Sequence, residues 1–244
     1  MITMKKNTIS IYIIMIMIIS CLSFQTNVEA KGHTGIMNIP VSMTKMNLKV
    51  AKSKKKKDSY FKDTLFIGNS LIEGFRETGL IKKGTFYGVN GYNVDQVYSS
   101  KEIKVGNEKM YLSQAIKLKS FKKIYLEFGI NEIEWPAQDI FIQRYEKVIK
   151  MVKEAQPQAT IFIMSLTPIA KKNLYSYEST QLVEMNKRLY TMCENNAWFY
   201  IDIYNGLVGN DGYISHDLTA DGLHFKNEGY KAWKEYLLEH TLSD

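Results

Sequence analysis

From about residue 60 onward, short apolar runs alternate with longer amphipathic stretches. The apolar runs are rich in β-branched and aromatic residues, which is typical of strands, whereas the amphipathic stretches repeat every three to four residues, as helices do. The predicted strands are Thr64–Gly68, Thr85–Val89, Lys123–Phe128, Thr160–Ser165 and Trp198–Ile203. The predicted helices are Leu71–Thr78, Val94–Ser99, Tyr111–Leu118, Gln138–Glu154, Tyr177–Asn195 and Asn227–His240.

This alternation predicts one α/β domain with a central parallel sheet. Several strands are continuously apolar, as expected for strands that are covered on both faces. Helices between such strands provide the right-handed crossovers that a parallel sheet requires. Ligands of open parallel sheets bind beyond the carboxyl ends of the strands, so we expect functional residues there.

The first thirty residues are predicted to be a signal peptide. Lys5 and Lys6 precede an apolar run that continues to Phe24 and is too short to span a bilayer, and Val28-Glu29-Ala30 offers a cleavage site between small residues. Lipid attachment at Cys21, in a stretch similar to a lipobox, is an alternative route. Both routes predict a secreted or surface-associated protein with no spanning segment in its mature form.

Residues 31–58 are interpreted as a basic lead-in, with the α/β domain beginning at residue 59. The chain has a formal net charge of +7, and part of that excess lies in Lys52-Ser53-Lys54-Lys55-Lys56-Lys57. The simpler interpretation of this segment, Lys52 to Lys57, is a solvated linker. The alternative is attraction to an anionic polymer of the cell surface. Nothing in the pattern indicates nucleic-acid binding.

Cysteine and metal-ligand patterns are uninformative about chemistry. If Cys21 is removed or acylated, Cys193 has no partner for a disulfide, and its apolar helical neighbours predict a buried residue. No cluster of His, Cys and Asp residues has the spacing of a metal site, and no phosphate-binding glycine motif is present. We therefore expect neither a metal nor a cofactor.

Four short stretches lie at strand ends or before the last helix, where an α/β active site is expected. They are Gly68-Asn69-Ser70-Leu71, Gly88-Val89-Asn90-Gly91-Tyr92-Asn93, Gly129-Ile130-Asn131-Glu132 and Asp221-Gly222-Leu223-His224. Ser70 by itself fits a helix cap as well as a nucleophile. A nucleophilic serine needs a base and a group that orients the base, and His224 and Asp221 supply both types of group.

An oxyanion that develops during ester cleavage needs fixed hydrogen-bond donors. Gly91 permits close approach of a backbone N–H, and Asn131 offers a side-chain amide. Each residue also has an ordinary interpretation, Gly91 as a turn glycine and Asn131 as a loop residue. It is the combination of all four stretches, in this order, that favours catalysis.

These four stretches together resemble the SGNH hydrolases, also called the GDSL esterase family, over about residues 60–240. The resemblance implies a flavodoxin-like three-layer α/β/α sandwich and a serine hydrolase. It also implies Ser70 as nucleophile, His224 as base, Asp221 as its orienting partner, and Ser70 N–H, Gly91 N–H and Asn131 as the oxyanion hole. Two positions depart from the family pattern, because Asn69 replaces the usual Asp and Glu132 replaces a frequent Asp. Gly88 is an alternative to Gly91.

The substrate is less determined by the sequence. Export and the aromatic residues Tyr87, Tyr92 and Trp135, of which Tyr92 and Trp135 are the candidate substrate contacts, favour removal of O-acetyl groups from a cell-wall or extracellular carbohydrate. The alternatives are a lipid or lysophospholipid acylhydrolase, acyl transfer by the same residues, and a glycan-binding wall module without catalysis. Glu127, Asp202 and the pair His216-Asp217 are interpreted as structural or surface groups.

Overall fold

The computed structural model describes residues 48–242, and the predicted signal peptide lies outside this range. The strands are β1 Thr64–Gly68, β2 Thr85–Gly88, β3 Ile103–Val105, β4 Glu108–Met110, β5 Lys123–Glu127, β6 Thr160–Met164 and β7 Phe199–Ile201. A parallel five-stranded sheet has the order β2-β1-β5-β6-β7, and β3 and β4 form a separate antiparallel hairpin. The helices are α1 Ser70–Glu77, α2 Gln96–Ser99, α3 Leu112–Ala115, α4 Gln138–Ala155, α5 Ser179–Asn196, α6 Ile203–Leu207 and α7 Asn227–Glu239. Two 3₁₀ helices are Asp58–Phe61 and His216–Leu218.

The predicted three-layer α/β/α sandwich is confirmed. One face of the sheet packs against α4 and α5, with Leu65, Ile124 and Val148 in a shared apolar cluster. The opposite face packs against α1 and α7, and its cluster includes Phe75 and Trp233. The strands therefore have both faces buried, which is why the sequence shows continuous apolar runs there.

One aromatic side chain from each strand lines up across the face that α1 and α7 cover. The row consists of Phe86, Phe66, Tyr125, Phe162 and Phe199, which are paired in register on adjacent strands. The ring centroid of Phe66 lies 4.8 Å from that of Phe86 and 5.2 Å from that of Tyr125. Tyr125 stacks on Phe162 with a centroid distance of 4.6 Å. A one-residue slip would turn each ring to the other face, so the row stabilises this register.

The five predicted strands and six predicted helices all exist, with ends that coincide or differ by up to about three residues. The sequence reasoning missed the β3–β4 hairpin and α6, because each is only three to five residues long and has little periodicity. Within residues 48–242, none of the helices has the length and apolar character needed to cross a bilayer.

The start of the domain differs from the prediction. Leu48 and Val50 are buried, and the segment pairs with β7 through hydrogen bonds from Val50 N to Tyr200 O and from Tyr200 N to Leu48 O, both 2.9 Å. The boundary at residue 58 is therefore wrong for residues 48–57, which form part of the domain.

Part of the lysine-rich segment is also paired within the domain. Lys52 lies 2.8 Å from Glu239, and Lys55 forms an ion pair with Glu235. The sequence does not reveal these ion pairs, because a run of lysines has the same composition as a solvated linker. The acidic partners lie almost 200 positions later in the chain, on α7. Residues 31–47 lie outside the described range.

Candidate active site

The turn between β1 and α1 holds the Ser70 hydroxyl free of the usual capping role. Asn69, not Ser70, caps the helix, because its Oδ1 accepts a hydrogen bond of 2.9 Å from Leu71 N. Gly68 allows β1 to lie close to β5, since a Cβ atom at this position would lie 2.5 Å from Glu127 O. Ser70 is therefore the first residue of α1, with its hydroxyl available to another partner.

That partner is His224, which is 154 positions away in the sequence. Ser70 Oγ lies 2.9 Å from His224 Nε2, and His224 Nδ1 lies 2.7 Å from Asp221 Oδ2. With Nδ1–H donating to the Asp221 carboxylate, Nε2 is the acceptor for the Ser70 hydroxyl proton. The three side chains that the sequence predicted to act together thus form one continuous hydrogen-bonded chain.

The Asp221–His224 loop is preorganised by its own backbone. Asp221 Oδ1 accepts hydrogen bonds from Leu223 N at 2.9 Å and from His224 N at 2.7 Å. The loop closes through a further bond of 2.7 Å from Ala220 N to His224 O. These hydrogen bonds fix the orientation of the Asp221 carboxylate, so the loop needs little reorganisation for the carboxylate to hold the His224 imidazole.

The electrostatics of Asp221 favour its ionised form. Partial burial opposes ionisation, but the hydrogen bonds from the His224 side chain and from the Leu223 and His224 N–H groups outweigh that effect and lower the pKa of Asp221. An ionised carboxylate at this position stabilises a positive charge on the imidazole.

An open cavity of about 530 Å³ adjoins Ser70 and His224. Its other lining residues include Glu73, Glu77 and Asn90, which are polar. The lining also includes the aromatic residues Phe225 and Tyr230.

Gly91 and Gly88 have different structural roles, although the sequence left both as candidates. A Cβ atom at Gly88 would lie 2.3 Å from Glu73 N, so this glycine permits β2 to pack against α1. Gly91 has a φ of +71° and lies in an exposed turn with open space around its Cα. Its backbone is therefore accessible, which fits the donor role predicted for Gly91.

Asn131 connects this turn to the end of β5. Its Nδ2 donates a hydrogen bond of 3.0 Å to Tyr92 O, and a primary amide has a second N–H to offer. Glu132 braces the same region, because Oε1 accepts from Val94 N at 2.8 Å and Oε2 from Gly129 N at 3.0 Å. Glu132 thus positions the loops around Asn131.

The prediction that Tyr92 contacts substrate is wrong. Its side chain is completely buried and packs against Phe128, with ring centroids 5.8 Å apart. Trp135 is half-buried and lies under the guanidinium group of Arg144, 5.5 Å from the ring centroid. Alternating apolar and polar residues around a turn do not reveal which way an aromatic ring points, and here Tyr92 belongs to the core.

Sequence reasoning also missed a residue next to His224. Tyr175 lies in the loop between β6 and α5, and its ring contacts the His224 imidazole edge-on at a centroid distance of 5.9 Å. Its only sequence signal is an aromatic residue in a loop, which by itself indicates nothing about the distant His224.

The remaining candidates lie outside this cluster. His216 and Asp217 are exposed on a 3₁₀ helix, and Cys193 is a buried free thiol whose pKa is raised by burial. Across residues 48–242, no three His, Cys, Asp or Glu side chains come together as a metal site.

Comparison with solved structures agrees with the fold. A structure from Streptococcus pneumonia, described provisionally as a platelet activating factor, has a TM-score of 0.60 and 21% identity, covering 72% of this chain and 82% of its own. A GDSL-like lipase from Bacteroides thetaiotaomicron has a TM-score of 0.54 and 14% identity over 75% of this chain and 88% of its own. An acetyl xylan esterase has a TM-score of 0.52 and 15% identity over 73% of this chain and 99% of its own.

Sequence comparison gives the family. No curated protein matches this chain. The family model of the GDSL-like lipases and acylhydrolases matches residues 66–232, a range that contains all four of the stretches described above. The chain therefore belongs to the GDSL-like lipase/acylhydrolase family of hydrolases.

Proposed function

We propose that this protein is an exported serine esterase that removes short acyl groups, above all O-acetyl groups, from a cell-wall or extracellular carbohydrate. The observation that carries the catalytic part is the hydrogen-bonded chain from Ser70 Oγ through His224 to Asp221, with distances of 2.9 Å and 2.7 Å. If Ser70 were only a helix cap and His224 only a surface residue, this hydrogen-bonded arrangement of three side chains would not be expected.

In the proposed first half-reaction, Ser70 Oγ attacks the ester carbonyl carbon while its proton moves to His224 Nε2. The tetrahedral intermediate collapses as the bond to the alcohol oxygen breaks, and His224 gives that oxygen its proton. The products are the free alcohol and an acyl-Ser70 ester. Asp221 stabilises the transient imidazolium without taking its proton.

In the second half-reaction, His224 takes a proton from water, whose oxygen attacks the acyl-Ser70 carbonyl carbon. Breaking the Oγ–acyl bond returns the proton to Ser70 and releases the carboxylic acid. Ser70 N–H, Gly91 N–H and the free N–H of Asn131 are the proposed donors to the negatively charged oxygen in both halves. The open space around Gly91 and the hydrogen bond from Asn131 Nδ2 to Tyr92 O support these assignments.

Three observations support the carbohydrate substrate. The cavity beside Ser70 is lined by hydrogen-bonding side chains, including Thr78, Asn90 and Asn227. The same fold serves an acetyl xylan esterase. The N-terminal residues have the pattern of a signal peptide, which would place the enzyme with extracellular polymers.

The test is hydrolysis of p-nitrophenyl acetate, butyrate and octanoate by the purified protein and by Ser70→Ala. We expect the acetate to be the best of the three esters, and Ser70→Ala to lose its turnover while circular dichroism stays unchanged. A labelled fluorophosphonate should react with the parent protein and not with the variant.

Two other results would point elsewhere. Turnover that rises toward octanoate would identify a lipid acylhydrolase, with the same nucleophile but a different substrate. A folded protein that neither hydrolyses the esters nor reacts with the fluorophosphonate would contradict catalysis and favour a glycan-binding module.

A further inference from the structure

Tyr175 presents an exposed aromatic surface at the catalytic-type histidine. Its residue exposure is 41%, and its ring is tilted by 66° to the His224 imidazole. Burial, together with the nearby charge of the Asp221 carboxylate, raises the pKa of Tyr175. An exposed large side chain in contact with His224 and close to Asp221 is a feature that the proposed chemistry leaves unexplained.

The Tyr175 ring rests on a second aromatic ring. Tyr177 stacks on it with a centroid distance of 5.5 Å and an angle of 17° between the planes. Tyr177 is itself half-buried against the apolar cluster under α4 and α5. Tyr175 remains exposed although it stacks on Tyr177. Leu174, which is 79% exposed, extends the apolar surface.

This aromatic pair is held rigidly. The Asn173 side chain accepts hydrogen bonds from Tyr175 N at 3.2 Å and Tyr177 N at 3.0 Å, and it donates one of 3.0 Å to Tyr177 O. The loop is thereby fixed around a single amide. Little backbone freedom of this loop therefore remains to be lost when a ligand binds.

The loop is also joined to the Asp221 turn. Leu174 N donates a hydrogen bond of 3.0 Å to Asp221 O. Gly222 has a φ of +90°, and a Cβ atom there would lie 2.5 Å from Asn173 Cα, so the two backbones are in direct contact. Tyr175 therefore has a defined position relative to His224.

The direction of proton transfer determines which part of an ester lies beside this surface. His224 must return its proton to the leaving alcohol oxygen, so the alcohol part of the substrate lies against the histidine. The carbonyl oxygen points instead toward the oxyanion donors. A side chain that packs on the His224 ring, as Tyr175 does, is consequently next to the alcohol part.

We infer that Tyr175, stacked on Tyr177, is a specificity-determining platform for the ring of a pyranose alcohol in the substrate. The C–H groups on one face of a pyranose form an apolar patch of a size that matches an aromatic ring, while its hydroxyls stay at the rim. The inference rests on the proposed esterase function and extends it, because it assigns the leaving group to a sugar ring and names the residue that selects it.

The experiment compares two acetate esters with different alcohol parts. Glucose pentaacetate carries a pyranose ring, whereas ethyl acetate has the same acyl group without a ring. We expect Tyr175→Ala to lower kcat/KM for glucose pentaacetate about three- to tenfold more than for ethyl acetate, since an aromatic contact typically contributes this much. If the alanine variant does not fold, Tyr175→Leu replaces it, because leucine keeps apolar bulk but has no aromatic ring. It should show the same larger loss for glucose pentaacetate than for ethyl acetate.

Tyr175→Phe separates the ring surface from the hydroxyl group near the Asp221 carboxylate. It keeps the ring, so any loss should be equal for the two esters and the selectivity for glucose pentaacetate should be retained. Tyr98→Ala is the matched control, because Tyr98 is 51% exposed on α2, a helix that contributes no residue to the Ser70–His224–Asp221 chain. It should leave both esters unaffected.

A binding measurement adds a readout independent of turnover. In a Ser70→Ala background, glucose pentaacetate should bind about three- to tenfold more weakly when Tyr175 is also replaced by alanine. Equal losses for the two esters in Tyr175→Ala, or no loss at all, would overturn the platform while leaving the esterase function intact. Full activity in Ser70→Ala alone would instead overturn the esterase function, and the platform with it.

Discussion

Two aspartates at the carboxyl edge of the sheet have the same local geometry and different surroundings. Asp202 follows β7 and accepts a hydrogen bond of 3.1 Å from Asn205 N, three positions later. Asp221 accepts one of 2.7 Å from His224 N, also three positions later. Asp202 lines a cavity of about 520 Å³. A cavity of about 530 Å³ adjoins His224, and Asp221 lies behind that histidine.

The difference lies in the group that contacts the second carboxylate oxygen. Oδ2 of Asp202 forms an ion pair with Lys49 and accepts a bond of 2.7 Å from Asn205 Nδ2, and these groups only donate. Oδ2 of Asp221 contacts an imidazole, whose opposite nitrogen can accept the Ser70 proton. Cavity size and a capped carboxylate are therefore insufficient for catalysis, and a partner that both donates and accepts is required.

The largest expected effect is the contrast between Asp221→Asn and Asp202→Asn. At position 221 the amide no longer stabilises the imidazolium or its productive tautomer, so kcat for p-nitrophenyl acetate should fall by about 10²- to 10⁴-fold. Asp202→Asn, measured in the same assay, should retain kcat within about twofold. Comparable losses in both variants would show that the Asp202 region participates in the reaction.

A second contrast uses one asparagine from each region. Asn131→Ala removes a proposed oxyanion donor and should lower kcat by about 10²- to 10³-fold with little change in KM. Asn205→Ala removes only a contact to Asp202 and should leave kcat near the parent value. Steady-state kinetics on p-nitrophenyl acetate distinguishes them, and an unchanged kcat in Asn131→Ala would remove this residue from the oxyanion hole.

Glu127 provides a third case, a carboxylate with neither type of partner. It is completely buried beside Asn69, and neither oxygen meets a donor in hydrogen-bonding geometry among residues 48–242. Burial raises its pKa from 4.5 to about 8, the nearby Glu132 adds to the shift, and Asn69 opposes it. The folded protein thus binds this proton more tightly than the unfolded chain.

Because the pKa of Glu127 is higher in the folded protein, protonation of this carboxyl stabilises the fold, and the stabilisation is complete below about pH 4.5. It is lost progressively as the pH rises to about 8, at up to about 1.4 kcal/mol per pH unit. Glu127→Gln cannot ionise. Its free energy of unfolding should therefore decline less between pH 5 and 8, by about 3 kcal/mol, in urea titrations. The exposed Glu228→Gln is the control and should keep the parent slope, and an unchanged slope in Glu127→Gln would contradict the buried-carboxyl explanation.

The smallest expected effect concerns the stability of the Asp202 region. Asp202→Ala removes the α6 cap and leaves Lys49 without this acidic partner, so the free energy of unfolding should fall by about 2 kcal/mol. Urea denaturation at pH 7 measures it. Asn205→Ala should cost less than half as much, because the ion pair and the backbone cap remain, and a larger loss there would assign the stabilisation to the amide instead.

The sequence predicted the fold well because its signal is local and repeated. Continuous apolar strands such as Lys123–Glu127 and amphipathic helices such as Gln138–Ala155 are determined by burial on two faces or one. The same reasoning failed for residues 48–57. Their lysines resemble a linker in composition, and their pairing with β7 and α7 depends on contacts far along the chain.

The site residues were predictable from motifs, whereas their surroundings were not. Ser70, His224 and Asp221 lie in short stretches with recognisable neighbours, and the structure brings them within hydrogen-bonding distance. Tyr92 and Tyr175 are both tyrosines in loops, and no local pattern distinguishes the buried one from the exposed one. The sequence favoured Tyr92 for its proximity along the chain to Gly91.

By itself, then, the sequence determined the order of elements, the parallel sheet and the identity of the groups that meet at its carboxyl edge. These depend on periodicity and on residue chemistry, which are local properties. Only the tertiary structure decided that Asn69 caps α1 and leaves Ser70 free, and that Tyr175 lies against His224. The first choice depends on the backbone geometry at the end of β1 once the sheet has packed, and the second on a contact between two separate loops. No short stretch of sequence contains either piece of information.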